Sequence, residues 1–199
     1  MTKVKICGLS TMDAVQAVNQ VHADLAGFVF AKSRRQVSID QARHLRQSLD
    51  GQIPTVGVFI EPDLELIQQL ADQHIINIVQ IHGEQNQSTI NSIHEMHLKV
   101  TQVLHPGQTL LTEPDYVMYD GINPGSGHQI DWDNIAQVRQ PFFLAGGLDP
   151  ANVENAINQV HPDFVDVSSG VETDGHKDPA KIIEFTRRAH YARNEARNK

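Results

Sequence analysis

Short apolar runs alternate along this chain with longer stretches in which apolar residues recur every three or four positions. The runs are Val4 to Cys7, Leu25 to Phe30, Pro54 to Ile60, Ile76 to Ile81, Leu98 to Leu104, Tyr116 to Tyr119, Phe142 to Leu144 and Phe164 to Val167. Each has strand length, and several are apolar almost throughout, as expected of strands covered on both faces. Between them lie helical patterns. One runs from Met12 to about Asn19, behind Ser10 or Thr11 as cap. Another follows Ser38, with Ile39, Ala42, Leu45 and Leu49 on one face. Leu64, Ile67, Leu70 and Ala71 mark a third, and Ile90 and Ile93 mark a fourth from Asn86 to His97. Asp133 opens a short one to Val138. Asp149, with Pro150 at the first helical position, opens the next. A last helix starts near Asp178-Pro179 and reaches Tyr191 or beyond.

Eight strand candidates alternating with helices imply parallel pairing and fit a closed (β/α)8 TIM barrel, class α/β. The stretch His105 to Asp115 is short and marked by Pro and Gly, so the fifth helix is expected to be short or missing. No internal linker or low-complexity stretch divides the chain, which predicts one domain over residues 1–199. A six-stranded open sheet would leave two apolar runs unplaced.

Composition narrows the partners. The 199 residues carry a formal net charge of −8, which argues against nucleic acid. A single cysteine excludes an internal disulfide and points to a reducing cytoplasm. No signal-like stretch opens the chain, and no run approaches the roughly 20 apolar residues of a membrane span. Neither nucleic acid nor membrane is expected as a partner.

Chemistry is expected at the C-terminal strand ends, where barrels of this type keep it. Those ends carry Cys7, the pair Arg34 and Arg35, His82 and Asp120. Cysteine and aspartate make a poor hydrolase triad without a partner histidine. They make a plausible base–acid pair, a thiolate that takes a proton from carbon and a carboxylic acid that gives one to oxygen. Late in the chain, Ala145-Gly146-Gly147 and Ser168-Ser169-Gly170 end the last two strands in small residues. Backbone N–H groups exposed at such ends form a phosphate seat. His94-Glu-Met-His97 lacks the four-residue histidine spacing of a zinc helix, and the eleven histidines show no ligand pattern.

The ordered set Lys5-Ile-Cys-Gly8, Gly27-Phe-Val-Phe30 with Ser33-Arg-Arg35, Val56-Gly-Val-Phe59, Val79-Gln-Ile-His-Gly-Glu84, Gly125-Ser-Gly127 with Asp131-Trp132, Ala145-Gly-Gly-Leu-Asp-Pro150 with Asn152-Val153, and Asp166-Val-Ser-Ser-Gly-Val-Glu172 resembles the phosphoribosylanthranilate isomerases of tryptophan biosynthesis. The resemblance runs from the first strand to the last helix. It implies an Amadori rearrangement of N-(5-phosphoribosyl)anthranilate, with no metal and no organic cofactor, on a small-molecule phosphosugar as the partner. It places Cys7 as general base at the sugar C2 and Asp120 as general acid at the ring oxygen. Arg35, with Arg34 as the adjacent alternative, would hold the anthranilate carboxylate. His82 either orients the site or packs the loop. Gly146, Gly147, Ser169 and Gly170 would bind phosphate. Two departures stand out: Pro124 replaces a glycine of the usual loop, and His128 stands where the family often has lysine. Another phosphosugar barrel, or a catalytically silent one, is the competing reading. A monomer or a homodimer is expected, the latter through the wall left bare by the stunted helix.

Overall fold

A computed structural model of the chain describes residues 2–105, 107–121, 131, 132, 135 and 138–196. Eight strands, β1 (Lys3–Cys7), β2 (Leu25–Val29), β3 (Thr55–Phe59), β4 (Ile78–Ile81), β5 (Lys99–Leu104), β6 (Tyr116–Tyr119), β7 (Phe142–Leu144) and β8 (Phe164–Val167), pair in chain order. All are parallel, and β8 returns to β1, with Lys5 opposite Asp166, to close the barrel. Helices α1 (Met12–Val21), α2 (Ile39–Ser48), α3 (Leu64–Asp72), α4 (Gln87–Glu95), α5 (Val153–Val160) and α6 (Pro179–Ala196) supply the connections. Among the described residues no helix joins β5 to β6, as the Pro/Gly-marked segment foretold. Pro124, His128 and Gly125 to Gly127 lie outside the described residues, as does most of the helix expected from Asp133 to Val138.

Strand alternation sorts the side chains into two cores. Val4 and Ile6 of β1 point outward and join helix residues such as Val15, Val18 and Phe185. Cys7, Leu25, Val29, Val56, Val58, Ile78, Val103, Met118, Phe143, Ala145 and Phe164 fill the barrel itself. Toward the N-terminal end the interior is closed by aromatic rings. Phe143 stacks on Phe164 at 4.1 Å between centroids, and Tyr116 meets both edge-on.

The helix starts follow the capping residues in the chain. Thr11, Ser38, Asp63 and Asn86 accept backbone N–H groups of the first turns of α1 to α4. Helix α5 departs from expectation. Asp149 does not cap it, and Pro150 is not its first residue. The Asp149 carboxylate accepts the N–H groups of Ala151 and Asn152, a local turn that delays the helix to Val153. At the other ends, His22 and His161 cap α1 and α5 in the left-handed conformation, and His74 and His97 adopt it just past α3 and α4. Four of the histidines are therefore chain-turning residues. His94 also has a structural partner, Asp115, at 2.9 Å. After β8 a short 3-10 turn, Ser169–Val171, leads into a two-stranded hairpin, β9 (Glu172–Thr173) and β10 (His176–Lys177), which the apolar pattern did not announce. No helix among the described residues is long and apolar enough to cross a membrane.

Candidate active site

The C-terminal strand ends surround a cavity of about 280 Å³. Cys7 is the last residue of β1, His82 and Asp120 are the first residues past β4 and β6, and all three line it together with Arg35. Gln80, Asp166 and Ser168 complete the polar wall. Val29, Ala31, Val58 and Ile60 form an apolar one, and Ile60 stays half-exposed at the mouth. A larger hollow of about 960 Å³ opens at the opposite end, among Lys3, Ile76, Lys99 and Tyr116. The Phe143–Phe164–Tyr116 cluster separates that end from the strand termini where barrels of this kind work.

The base and acid candidates sit in different electrostatic surroundings. Cys7 is buried, and burial pushes its thiol above the ordinary range; the charge of Lys5 opposes the rise. Asp120 is also buried. Burial first, then the nearby charge of Asp166, raise its carboxyl to about 6, although the Gly121 N–H donates to it at 2.7 Å. A carboxyl so placed is half protonated at about pH 6 and keeps a protonated fraction of roughly a tenth at pH 7, so a proton is at hand for donation. His82 is held neutral, with burial as the main cause and the charge of Lys5 next, at about 4. Its Nε2 lies 3.0 Å from Gln80 Nε2. Gln80 Oε1 and His82 Nδ1 are buried with no hydrogen-bond partner among the described residues.

The arginine pair divides. Arg34 turns toward the β9–β10 hairpin, donating to Gly175 O at 2.8 Å and to Glu172, and takes no part in the cavity lining. Arg35 lines the cavity, and it donates through Nε and Nη2 to the two oxygens of Glu172 at 2.6 and 3.1 Å. Its Nη1 is left without a partner among the described residues. Lys177 reaches the same carboxylate at 2.8 Å and also donates to Ser168 O at 2.8 Å. Burial works to raise Glu172, but these hydrogen bonds from Arg35 and Lys177 hold it down at about 2. Glu172 thus ties the loop after β2 to the turn after β8.

The four small residues stand at the rim beside the cavity rather than in its lining. Gly146 and Gly147 have φ of +80° and +70°, a left-handed pair that only glycine adopts without strain. Asn152 donates to Gly147 O at 2.8 Å and fixes that turn. The N–H groups of Gly146 and Gly147 have no acceptor among the described residues. Gly170 packs under the neighbouring loop, where a Cβ would stand 1.9 Å from Leu148 O. The turns after β7 and β8 are therefore one packed unit, as a shared anion seat needs.

Lys5, Asp166, Glu172, Lys177 and Gln80 are the residues that pattern reading passed over. Lys5 interrupts the apolar run Val4 to Cys7, and that interruption was the available signal.

A closed parallel barrel with titratable groups gathered inside its C-terminal rim places the chain among the TIM-barrel enzymes. Its residues 4–188 match the family model described as N-(5'-phosphoribosyl)anthranilate (PRA) isomerase, and the chain belongs to that family. The N-(5'-phosphoribosyl)anthranilate isomerase of Lactiplantibacillus plantarum is 44% identical over 193 residues, which cover 96% of this chain and 93% of the relative. The crystal structure of phosphoribosyl anthranilate isomerase from Thermus thermophilus superposes with a TM-score of 0.85 at 25% identity, covering 96% of this chain and 99% of that one. A phosphoribosyl anthranilate isomerase solved in complex with reduced 1-(o-carboxyphenylamino)-1-deoxyribulose 5-phosphate gives 0.78 at 30% identity, with coverage of 96% and 100%.

Proposed function

We propose that this chain, acting as one barrel unit, isomerises N-(5'-phosphoribosyl)anthranilate to 1-(2-carboxyphenylamino)-1-deoxyribulose 5-phosphate in tryptophan biosynthesis. One observation carries the reading: Cys7 and Asp120, a thiol and a carboxyl raised to about 6, line one cavity. Arg35 lines that cavity as well, and the two glycine-rich turns stand on its rim.

Asp120 in its protonated form gives its proton to the ribose ring oxygen. The C1–O bond breaks, and the anilino nitrogen lone pair forms the C=N bond of an open-chain Schiff base. Cys7 as thiolate then takes the proton from C2. The C–H electron pair becomes a C1–C2 double bond, and the iminium nitrogen recovers its lone pair. The resulting enol tautomerises to the ketose product. No electron leaves the substrate, so the step needs no redox partner.

Arg35 is the better fit for the anthranilate carboxylate, because its free Nη1 belongs to a guanidinium already fixed on its other edge by Glu172. The aromatic ring would lie against Val29, Ala31, Val58 and Ile60. Gln80 Oε1 and His82 Nδ1 are buried atoms in want of partners, suited to ribose hydroxyls. The rim N–H groups of Gly146, Gly147, Ser169 and Gly170 suit the phosphate.

The test is turnover of N-(5'-phosphoribosyl)anthranilate generated in place, followed by loss of its fluorescence. The native chain should convert it. Cys7→Ser and Asp120→Asn should each lose about 10²–10⁴-fold in kcat while still binding a product analogue. A native chain that binds the analogue but never turns over would make the barrel a silent phosphosugar binder and overturn the proposal.

A further inference from the structure

Lys5 is fully buried inside the barrel, and its Nζ meets Asp166 Oδ1 at 2.8 Å. Taking an ammonium and a carboxylate out of water costs more than their attraction commonly returns, and an apolar pair of similar volume would fill the same space. The aromatic and aliphatic side chains below them do so. A charge kept at this depth therefore calls for something that uses it.

Cys7 stands two residues beyond Lys5 on β1, on the same face of the strand. Across from them is Gly27 of β2, in register with Cys7. A Cβ at Gly27 would lie 3.1 Å from Cys7 Sγ and 3.3 Å from Lys5 Cε. Lys5 and Cys7 thus close over one gap, which the missing side chain leaves open for them. Asp166, opposite Lys5 in register on β8, anchors the ammonium from the other side.

We propose that Lys5 is a positioning residue whose buried ammonium serves as counter-ion to the Cys7 thiolate, with Asp166 holding it in place. This rests on the reading of Cys7 as the base. The other charged or titratable groups around Cys7 come from several elements: Asp166 on β8, Asp120 past β6, Lys177 on β10, Lys32 and Arg35 after β2 and neutral His82 past β4. Lys177 and Arg35 are both engaged by Glu172. After burial, the influence of Lys5 on the thiol outweighs those of Asp166 and Lys177, and it favours the thiolate. At Asp120 the order reverses: there Asp166 outweighs Lys5 and favours the protonated acid. One ion pair, oriented with its cation toward the base, prepares the two groups in opposite directions.

Cys7 is the sole cysteine of the chain, so thiolate absorbance, read as the difference from Cys7→Ser, titrates this residue alone. Lys5→Met should raise the thiol midpoint by about one pH unit or more and slow iodoacetamide alkylation at neutral pH about tenfold. Asp166→Asn keeps the cation, removes the opposing charge and should lower the midpoint. Opposite signs are the mark of a counter-ion, because loss of a merely structural pair moves both variants alike. An unshifted midpoint in Lys5→Met, or shifts of the same sign in both variants, would overturn the proposal. Should Lys5→Met fail to fold, Asp166→Asn decides it: a lowered midpoint supports it, and an unchanged or raised one refutes it. The titration needs no turnover. A native chain without isomerase activity would refute the proposed reaction and leave the thiol result intact, whereas turnover with an unmoved thiol would refute only the counter-ion.

Discussion

Gly170 and Leu148 touch where no side chain fits: a Cβ on Gly170 would stand 1.9 Å from the Leu148 carbonyl oxygen. This contact locks the turn after β8 beneath the turn after β7. The N–H groups of Gly146 and Gly147 stay open only while both turns hold their shape. Gly170→Ala should therefore act first on phosphate recognition. We expect KM to rise at least tenfold with a smaller change in kcat, and stability to fall by about 1–3 kcal/mol from overpacking. Steady-state kinetics and urea unfolding check both figures.

The pH profile follows from Asp120 and Cys7. In the proposed reaction the working form holds Asp120 protonated and Cys7 as thiolate. With Asp120 at about 6 and the thiol above its ordinary range, that form is a minority isomer of the singly protonated pair. Log kcat/KM should rise with pH up to about 6, stay level, and fall as the second proton leaves at alkaline pH. Asp120→Asn should abolish the break near 6, which a pH series on both proteins will reveal.

Glu172 ties folding to acidity. Its pKa is depressed to about 2, so the carboxylate favours the folded state above its unfolded value of roughly 4.3. That contribution disappears as pH falls from there through about 2. Glu172→Gln should flatten the acid side of the stability curve in this window. It should also raise KM, because Arg35 loses the partner that orients it. Melting temperatures from pH 2 to 7, set beside KM at neutral pH, measure the two effects.

The histidine turns are open to improvement. His22, His74, His97 and His161 are exposed and left-handed, with φ between 49° and 59°. A side chain costs roughly 1–2 kcal/mol in that region, and glycine gives back part of this through unfolded-state entropy. Each histidine to glycine change should stabilise the fold by about 0.5–1 kcal/mol and leave turnover unaltered. Thermal melts of the single variants test this.

Ile60 stays 54% exposed at the cavity mouth although it is a large aliphatic residue. If an aromatic ring covers it, Ile60→Ala should raise KM several-fold, the loss of about 1 kcal/mol of contact, and spare kcat.

The barrel was legible because its strands are buried on both faces and read as largely apolar runs, and because Thr11, Ser38 and Asn86 stand where their helices begin. Cys7, His82 and Asp120 were legible because strand ends converge in any such barrel. The arginine choice was not, since adjacent residues in a loop point in different directions for reasons that lie elsewhere: both bond Glu172, but Arg34 also reaches out to Gly175 while Arg35 lies along the cavity. Lys5 and Asp166 were equally hidden. Each interrupts a run of apolar residues, which marks the position, but nothing local names its partner 161 positions away. The delayed start of α5 is a local case, where Asp149 can serve a helix or a turn and takes the turn.

The joint between β1 and β8 also bears on how the molecule comes into being. Thr2 bonds Pro162, Lys3 bonds Asp163 and Lys5 bonds Asp166, so β1 is completed by the eighth strand of the barrel. Until β8 arrives, Cys7 lacks one wall of its cavity and Lys5 is a cation without an anion. Contacts over so long a sequence separation are the slow kind to form, and in this barrel the wall of the site depends on one of them, the seam of β8 against β1.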